Sequence, residues 1–221
     1  MPAPTKGQII AAAAMAHVGC SATKLVDLYT DVVVRPIDRI GRLHPFYVQD
    51  KALSTCALFC VGCWRLAGVD EPETMASYFP PGGPERNAFA DEENLGRRFG
   101  AWVPATSAPP VISTGDAWII ADAQGGDGHT GIAVGDAMVE GNGVVSLDTV
   151  EGGQADPVGS TGTGAFTRTL RFVGGRWMMG ARFLMGWIRA EALPVPVPAS
   201  TLPAPPETPG DPHEDPGGQH A

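Results

Sequence analysis

The sequence has 221 residues, of which 43% are hydrophobic and 18% charged, a composition that suits one soluble domain with a single apolar core. Its formal net charge is -9, but residues 191–221 hold five acidic residues and neither Lys nor Arg, so the rest of the chain is only mildly acidic. Phosphate binding needs clustered basic side chains and a membrane helix needs about eighteen apolar residues in a row, so we expect no nucleic-acid partner and no membrane span.

Two short helices are predicted near the start of the chain, over residues 6–17 and 22–29. The apolar run at 9–16 has a faint similarity to a secretory signal, but it is short, rich in Ala and interrupted by His17. We therefore interpret it as a helix of the domain and expect synthesis in the cytoplasm without a signal peptide. The crowded cysteines do not have the spacing of a disulfide framework, so reduced thiols are expected.

The clearest helix in the sequence begins at Cys56. Ser54 and Thr55 supply hydroxyl groups suited to an N-cap, an apolar run follows as far as residue 67, and Gly68 is placed to end it. Because this run is apolar on nearly every face, we expect the helix to lie in the core.

The second half of the chain is predicted to form strands. Residues 70–110, rich in Pro, Gly and charge, are interpreted as a surface excursion with a helix near 91–99, and strands then follow at 117–120, 130–134, 144–150, 169–173 and 183–188. Helices first and strands later indicate an α+β domain with an antiparallel sheet, over residues 1–190. Residues 191–221 are predicted to be a disordered Pro-rich acidic tail that could tether a partner protein.

Cys56 is the candidate nucleophile. It lies in the first turn of the predicted core helix, where unpaired backbone N–H groups and the helix dipole stabilise a thiolate. Cys60 and Cys63 lie one and two turns deeper, and we expect them to pack as apolar core residues.

His129 is the candidate general base, because it follows a Gly-rich turn and opens a predicted strand, which would leave its ring accessible to a thiolate at a helix terminus. A third polar group usually orients such an imidazole. Glu151, at the end of the 144–150 strand, is our choice for that group, and Asp148, Gln154 and Asp127 are its alternatives.

Short motifs in the order expected for one family run through residues 5–190. They are TCALF at 55–59, AGV at 67–69, GDAW at 115–118, GHTGIA at 128–133, VEGGQ at 150–154 and GWIR at 186–189. This set resembles the CHAP (cysteine, histidine-dependent amidohydrolase/peptidase) and NlpC-type domains. The resemblance implies a papain-like fold, a Cys–His site without metal or cofactor, and cleavage of amide bonds in peptidoglycan at the bacterial cell wall, as in phage endolysins and tail-associated enzymes.

The resemblance has departures from the family pattern. Thr55 stands where many phage-type members have Trp, Thr130 where many have Val, and Gly153 where an Asn is frequent. Because Gly153 replaces that Asn, Gln154 is an accessory candidate for the residue that orients His129. Gln49 resembles the oxyanion donor of papain-type sites.

Three other interpretations compete with a wall hydrolase. One is an inactive papain-like module that binds the wall or builds a virion, and another is a cysteine protease that acts on protein substrates. The third follows from the Cys56-x3-Cys60-x2-Cys63 spacing, which matches that of a [4Fe-4S] cluster. We reject the cluster because its cysteines would need to come from a loop, whereas these three lie on one continuous predicted helix.

Overall fold

In the computed structural model, residues 2–20, 56–69, 88–105, 110–123, 128–155, 163–178 and 180–194 are described. They form three α-helices and an antiparallel sheet, so the predicted α+β class is confirmed. The helices are α1 (Lys6–Ala16), α2 (Cys56–Leu66) and α3 (Ala88–Arg98). The second predicted helix, at 22–29, lies outside the described residues.

Within the described ranges the sheet contains eight strands. These are β1 (Trp102–Pro104), β2 (Ala117–Ala121), β3 (Gly128–Ala133), β4 (Met138–Val139), β5 (Val144–Ala155), β6 (Thr163–Val173), β7 (Arg176–Trp177) and β8 (Phe183–Ile188). Their order is β1-β8-β2-β3-β5-β6-β7, with β4 on β5, and short 3-10 turns lie at Gly141–Gly143 and Ala190–Ala192. Because β7 also pairs with β8, six of the strands form a closed antiparallel circuit.

The two faces of this circuit carry separate apolar clusters, as the alternation of side chains along a strand requires. On β2, Ala117, Ile119 and Ala121 belong to the cluster that also contains residues of all three helices. Trp118 and Ile120 belong to the second cluster, on the other face, with Leu147 and Phe172 among its members. The helices therefore cover one face of the sheet, and the second cluster fills the other.

Two of the predicted strands are much longer than expected. Strand β5 continues through Glu151 to Ala155, so Glu151 lies within a strand rather than at its end. Strand β6 begins six residues earlier than the predicted start at Thr169. The additional pairing joins Glu151 to Phe166 and, after an irregularity in register, Gln154 to Gly164. Glycines at 152, 153 and 164 lower the β propensity of the local sequence. Pairing between β5 and β6 nevertheless keeps these residues in the strands.

The first and last described elements pack together. Thr5 and Gln8 cap the start of α1 with reciprocal side-chain hydrogen bonds. Gly7 N–H donates to the Glu191 carboxylate at 2.8 Å, and Lys6 Nζ donates to the Leu193 carbonyl. Leu193 is buried, so packed structure extends slightly beyond the domain end predicted at residue 190. Residues 195–221 lie outside the described part, and the predicted tail disorder stays a prediction.

Candidate active site

Cys56 is the first residue of α2, and only 1% of it is exposed. Helix α2 packs directly on β3 and β5. A glycine permits this close approach, because a Cβ atom at Gly152 would lie 2.4 Å from Cβ of Phe59. Gly152 follows Glu151, so the same close contact holds the start of the helix near the strand that carries the candidate acid.

His129 is the second residue of β3 and joins the other two predicted residues. Its Nε2 donates a hydrogen bond to Oε2 of Glu151 at 3.0 Å, and the imidazole is also hydrogen-bonded to the Cys56 thiol. Because Glu151 occupies Nε2, the nitrogen left for the sulfur is Nδ1. The structure thus brings Cys56, His129 and Glu151, which come from a helix and two neighbouring strands, into one hydrogen-bonded chain.

His129 is 4% exposed, and its environment controls the charge of its imidazole. Burial lowers its pKa, but the hydrogen bonds and negative charges of Cys56 and Glu151 raise it by more, so that the pKa stands at about 9, above its ordinary value of 6.5. The protonated ring is therefore the stable form near neutral pH. This is the charge state expected of an imidazolium paired with a thiolate.

Trp118, on the neighbouring strand β2, packs against the imidazole of His129. Its ring meets the imidazole edge-on, with centroids 5.5 Å apart, and its Nε1 donates to Thr149 Oγ1 at 2.9 Å. The indole fits because residue 131 is glycine: a Cβ there would lie 2.7 Å from the indole ring and 2.8 Å from the Val150 carbonyl oxygen. Trp118 belongs to the GDAW motif at 115–118, and no role in the site was predicted for it. The period-two alternation that places Thr149 and Glu151 on one face of β5 was a signal available for finding this contact.

Arg168 is a second residue that sequence reasoning missed. Its guanidinium lies 3.5 Å from Glu151 Oε2, the oxygen that also accepts from His129, and its side chain is 26% exposed. Two cationic groups therefore face one carboxylate oxygen. The other oxygen of Glu151, Oε1, is buried and has no hydrogen-bond partner within the described ranges.

The other candidates for the residue that orients His129 lie in different parts of the chain. Asp148 is exposed on the opposite face of β5, where its carboxylate accepts from Thr169 Oγ1 at 2.6 Å, so the structure does not bring it to His129. Gln154 lies on β5, but its side chain is not described. Asp127 and Gln49 lie outside the described residues.

The deeper cysteines are buried, as expected. Cys60 Sγ lies 3.7 Å from Thr130 Oγ1, and burial raises the pKa of Cys60 and of Cys63 well above the ordinary value. The helix that carries them is continuous, which was the ground for rejecting the iron–sulfur interpretation. In the part of the chain that the structure describes, no three His, Cys, Asp or Glu side chains are grouped to hold a metal ion.

All three members of the hydrogen-bonded chain are buried, since Glu151 is also only 1% exposed. A substrate can therefore reach the sulfur only if an opening forms above it. Chemically, the arrangement can hold a thiolate beside an imidazolium whose second N–H is fixed by a carboxylate.

Comparisons with known protein families, with curated proteins and with solved structures found no match for this chain. Among the described helices, none has both the length and the apolar composition needed to cross a membrane.

Proposed function

We propose that this chain is a papain-like cysteine amide hydrolase, with peptidoglycan as its substrate class and the bacterial cell wall as its place of action. The observation that carries the proposal is the hydrogen-bonded chain from Cys56 through His129 to Glu151. Support for the papain-like arrangement comes from the nucleophile at the start of a buried helix that packs on an antiparallel sheet bearing the base and the acid. The peptidoglycan substrate rests on the family resemblance of the motifs.

In the proposed reaction, the Cys56 thiolate attacks the carbonyl carbon of the amide and forms a tetrahedral intermediate. The His129 imidazolium gives its proton to the leaving nitrogen, and an amine departs while a thioester remains on Cys56. Neutral His129 then takes a proton from water, which attacks the thioester and releases a carboxylic acid product. Regeneration of the Cys56–His129 ion pair completes the cycle.

Glu151 keeps the ring oriented in both steps, because its Oε2 accepts from Nε2 and leaves Nδ1 for the sulfur, the leaving nitrogen and water. The Cys56 backbone N–H is the first oxyanion donor in this proposal, and Gln49 remains the candidate for the second. Trp118 packs edge-on against the imidazole of His129 and so makes the surroundings of the ring less polar, which strengthens its hydrogen bonds.

Single-site variants assayed on purified cell-wall sacculi test this function. We expect Cys56→Ala and His129→Ala each to abolish the release of soluble muropeptides. Cys60→Ala and Cys63→Ala are the matched controls, because they alter buried thiols on the same helix, and they should retain turnover. Unchanged release by Cys56→Ala would remove the proposal, and mass spectrometry of the products would identify the cleaved bond.

A second candidate is a papain-like module that binds the wall or a virion component without hydrolysing anything. The observation that favours it is the burial of the nucleophile, of which 1% is exposed. Sacculus binding without release of fragments, together with a Cys56 thiol that does not react in the folded protein, would support this candidate over the enzyme.

A further inference from the structure

Three large apolar side chains are exposed close together on strands β6, β7 and β8 and the turn that follows β7. Val173 is 47%, Met178 56% and Phe183 39% exposed. Val173 pairs with Arg176 on β7, and Arg176 pairs with Phe183 on β8, so these residues lie in one row across the strands. Met178 N–H donates to the Arg171 carbonyl at 2.9 Å, which holds it beside β6. Single apolar side chains are ordinary on a surface, but a contiguous group is typical of a binding surface.

This group lies on the face of the sheet that the helices cover elsewhere. On each of the three strands a neighbouring residue packs on the opposite face, in the second apolar cluster: Phe172, Trp177 and Leu184. Because successive side chains alternate between the two faces of a strand, the exposed residues point to the helix side. The helices cover that side over β3 and β5, whereas at the turn between β6 and β7 it is open to solvent.

Arginine side chains accompany the exposed apolar residues. Residues 163–189 contain five Arg and no Asp, Glu or Lys. The guanidinium of Arg176 lies over the Phe183 ring, 6.0 Å from its centroid. The side chain of Arg171 is 58% exposed, with Glu140 at 3.3 Å on one side of it. We define the β6–β8 surface, which is both basic and apolar, as Arg171, Val173, Arg176, Met178 and Phe183.

The C-terminal segment of the same chain has the complementary composition. Residues 195–221 contain four acidic residues, all within 207–215, and no Lys or Arg. Arg guanidinium groups bind carboxylates through two parallel N–H groups, and Pro-rich segments dock on aromatic side chains at a low cost in conformational entropy. The β6–β8 surface offers both kinds of contact. Charge complementarity therefore favours this segment as its occupant.

The spacing along the chain lets the acidic segment reach the β6–β8 surface. The described part of the chain ends at Pro194, shortly after β8. Twelve residues, 195–206, separate this point from the first acid, and five of them are Pro. A Pro-rich segment of that length spans about 37 Å when extended. The way back along β8 from Ile188 to Phe183 is only about 17 Å.

We propose that the β6–β8 surface is the docking site of the acidic segment 207–215 of the same chain, carried there by the Pro-rich spacer 195–206. The exposed apolar side chains contact prolines, and the two Arg side chains pair with carboxylates. Attachment to the same chain raises the effective concentration of the segment to roughly millimolar, so individually weak contacts are enough to hold it.

Docking at this surface leaves the candidate active site uncovered. Arg168, beside Glu151, and Val173 are five positions apart on β6, which corresponds to about 17 Å along the strand. The proposal therefore does not depend on the function of Cys56.

Photo-crosslinking of the full chain identifies what occupies the β6–β8 surface. Benzoylphenylalanine in place of Phe183 keeps an aromatic side chain and, on illumination, bonds to a group that lies against it. Mass spectrometry of digested monomer should find the C-terminal peptide, with a residue of 195–221 attached at residue 183. The same group in place of Leu66, which is exposed at the end of α2, is the control and should give at least about fivefold less of this product.

Charge variants test how the segment is recognised. The first variant neutralises the acidic segment through Glu207→Gln, Asp211→Asn, Glu214→Gln and Asp215→Asn. It leaves the described domain unchanged and should lower the crosslink yield at residue 183 by at least about fivefold, as should high salt. Arg176→Gln should lower the yield in the same direction. Arg97→Gln, which removes an exposed Arg paired with Glu93 on α3, is the matched control and should leave it unchanged.

Equal yields of the C-terminal product from residues 183 and 66 overturn the proposal, as does an unchanged yield in the neutralised variant. Covalent dimers whose amount rises with protein concentration would also overturn it, and they would identify a second copy of the chain as the occupant. None of these results depends on the release of muropeptides from sacculi, so the docking and the proposed hydrolysis are tested separately.

Discussion

His129 and Glu151 face each other across the neighbouring strands β3 and β5, with Nε2 of the imidazole 3.0 Å from Oε2 of the carboxylate. Both side chains are almost completely buried, so the bond lies in a medium of low polarity. Because a hydrogen bond to a charged group is stronger there than in water, the carboxylate both orients the ring and favours its protonated form.

We expect Glu151→Gln to lower kcat/KM for muropeptide cleavage by about 100-fold or more, because the imidazolium loses its anionic partner. The pKa of His129 should fall at the same time, so the alkaline decline of activity should move to lower pH. A pH–rate profile of both proteins measures the two effects together. Asp148→Asn is the matched control, since Asp148 lies on the opposite face of the same strand, and its profile should equal that of the wild type.

The titration of His129 should make the free energy of unfolding depend on pH. Its pKa of about 9 in the folded protein exceeds the ordinary value of 6.5, so the folded state binds this proton more tightly than the unfolded state does. The resulting stabilisation is complete below a pH of 6.5 and is lost as the pH rises through about 9. Urea unfolding measured from pH 6.5 to about 9 should show a falling free energy of unfolding for the wild type. The free energy of unfolding of His129→Gln should depend less on pH over the same range.

Gly131→Ala tests the position of Trp118. The added Cβ would lie 2.7 Å from the indole and 2.8 Å from the Val150 carbonyl oxygen, so the ring must move off His129. We expect a loss of about 1–3 kcal/mol in the free energy of unfolding and a change in Trp fluorescence. Gly135→Ala is the control, because a Cβ at Gly135 meets no atom within 4 Å, and it should leave both measurements unchanged.

Arg168→Gln should reduce activity less than the loss of Glu151 does, by about three- to tenfold, because Arg168 is partly exposed and His129 still fixes the carboxylate. The reduction should be smaller at high salt, which already screens this partly exposed pair. Arg171→Gln, on the same strand, removes an exposed pair with Glu140 and serves as the control. Equal losses in both variants would indicate a general effect of charge rather than a contact with Glu151.

Much of this arrangement could be predicted from the sequence because its signals are local. The apolar run from Cys56 to Gly68 predicted α2, and the alternating residues after Pro110 predicted five of the strands. The Gly-rich turn before His129 and the acid beyond Val150 indicated the residues that the structure brings together. These signals depend on capping, periodicity and turn residues within a few positions of each other.

The features that could not be predicted depend on contacts between distant segments. Strand β1 has three residues and forms by pairing with β8, which no local pattern reveals. The extension of β5 past Glu151 requires pairing with β6 through a glycine-containing stretch. Glu92, in a charged segment assigned to the surface, became buried because α3 packs on α2 and β3.

The reactivity of Cys56 in the folded protein distinguishes an activated thiolate from a thiol that is only packed in the core. Iodoacetamide labelling at neutral pH, followed by mass spectrometry of the peptides, compares Cys56 with the buried Cys60 and Cys63 in a single sample. If Cys56 is the activated nucleophile, it should be labelled at least about tenfold faster than either, and His129→Ala should remove this difference. Labelling of Cys56 no faster than that of Cys60 and Cys63, in a protein shown to be folded, would exclude it as the nucleophile.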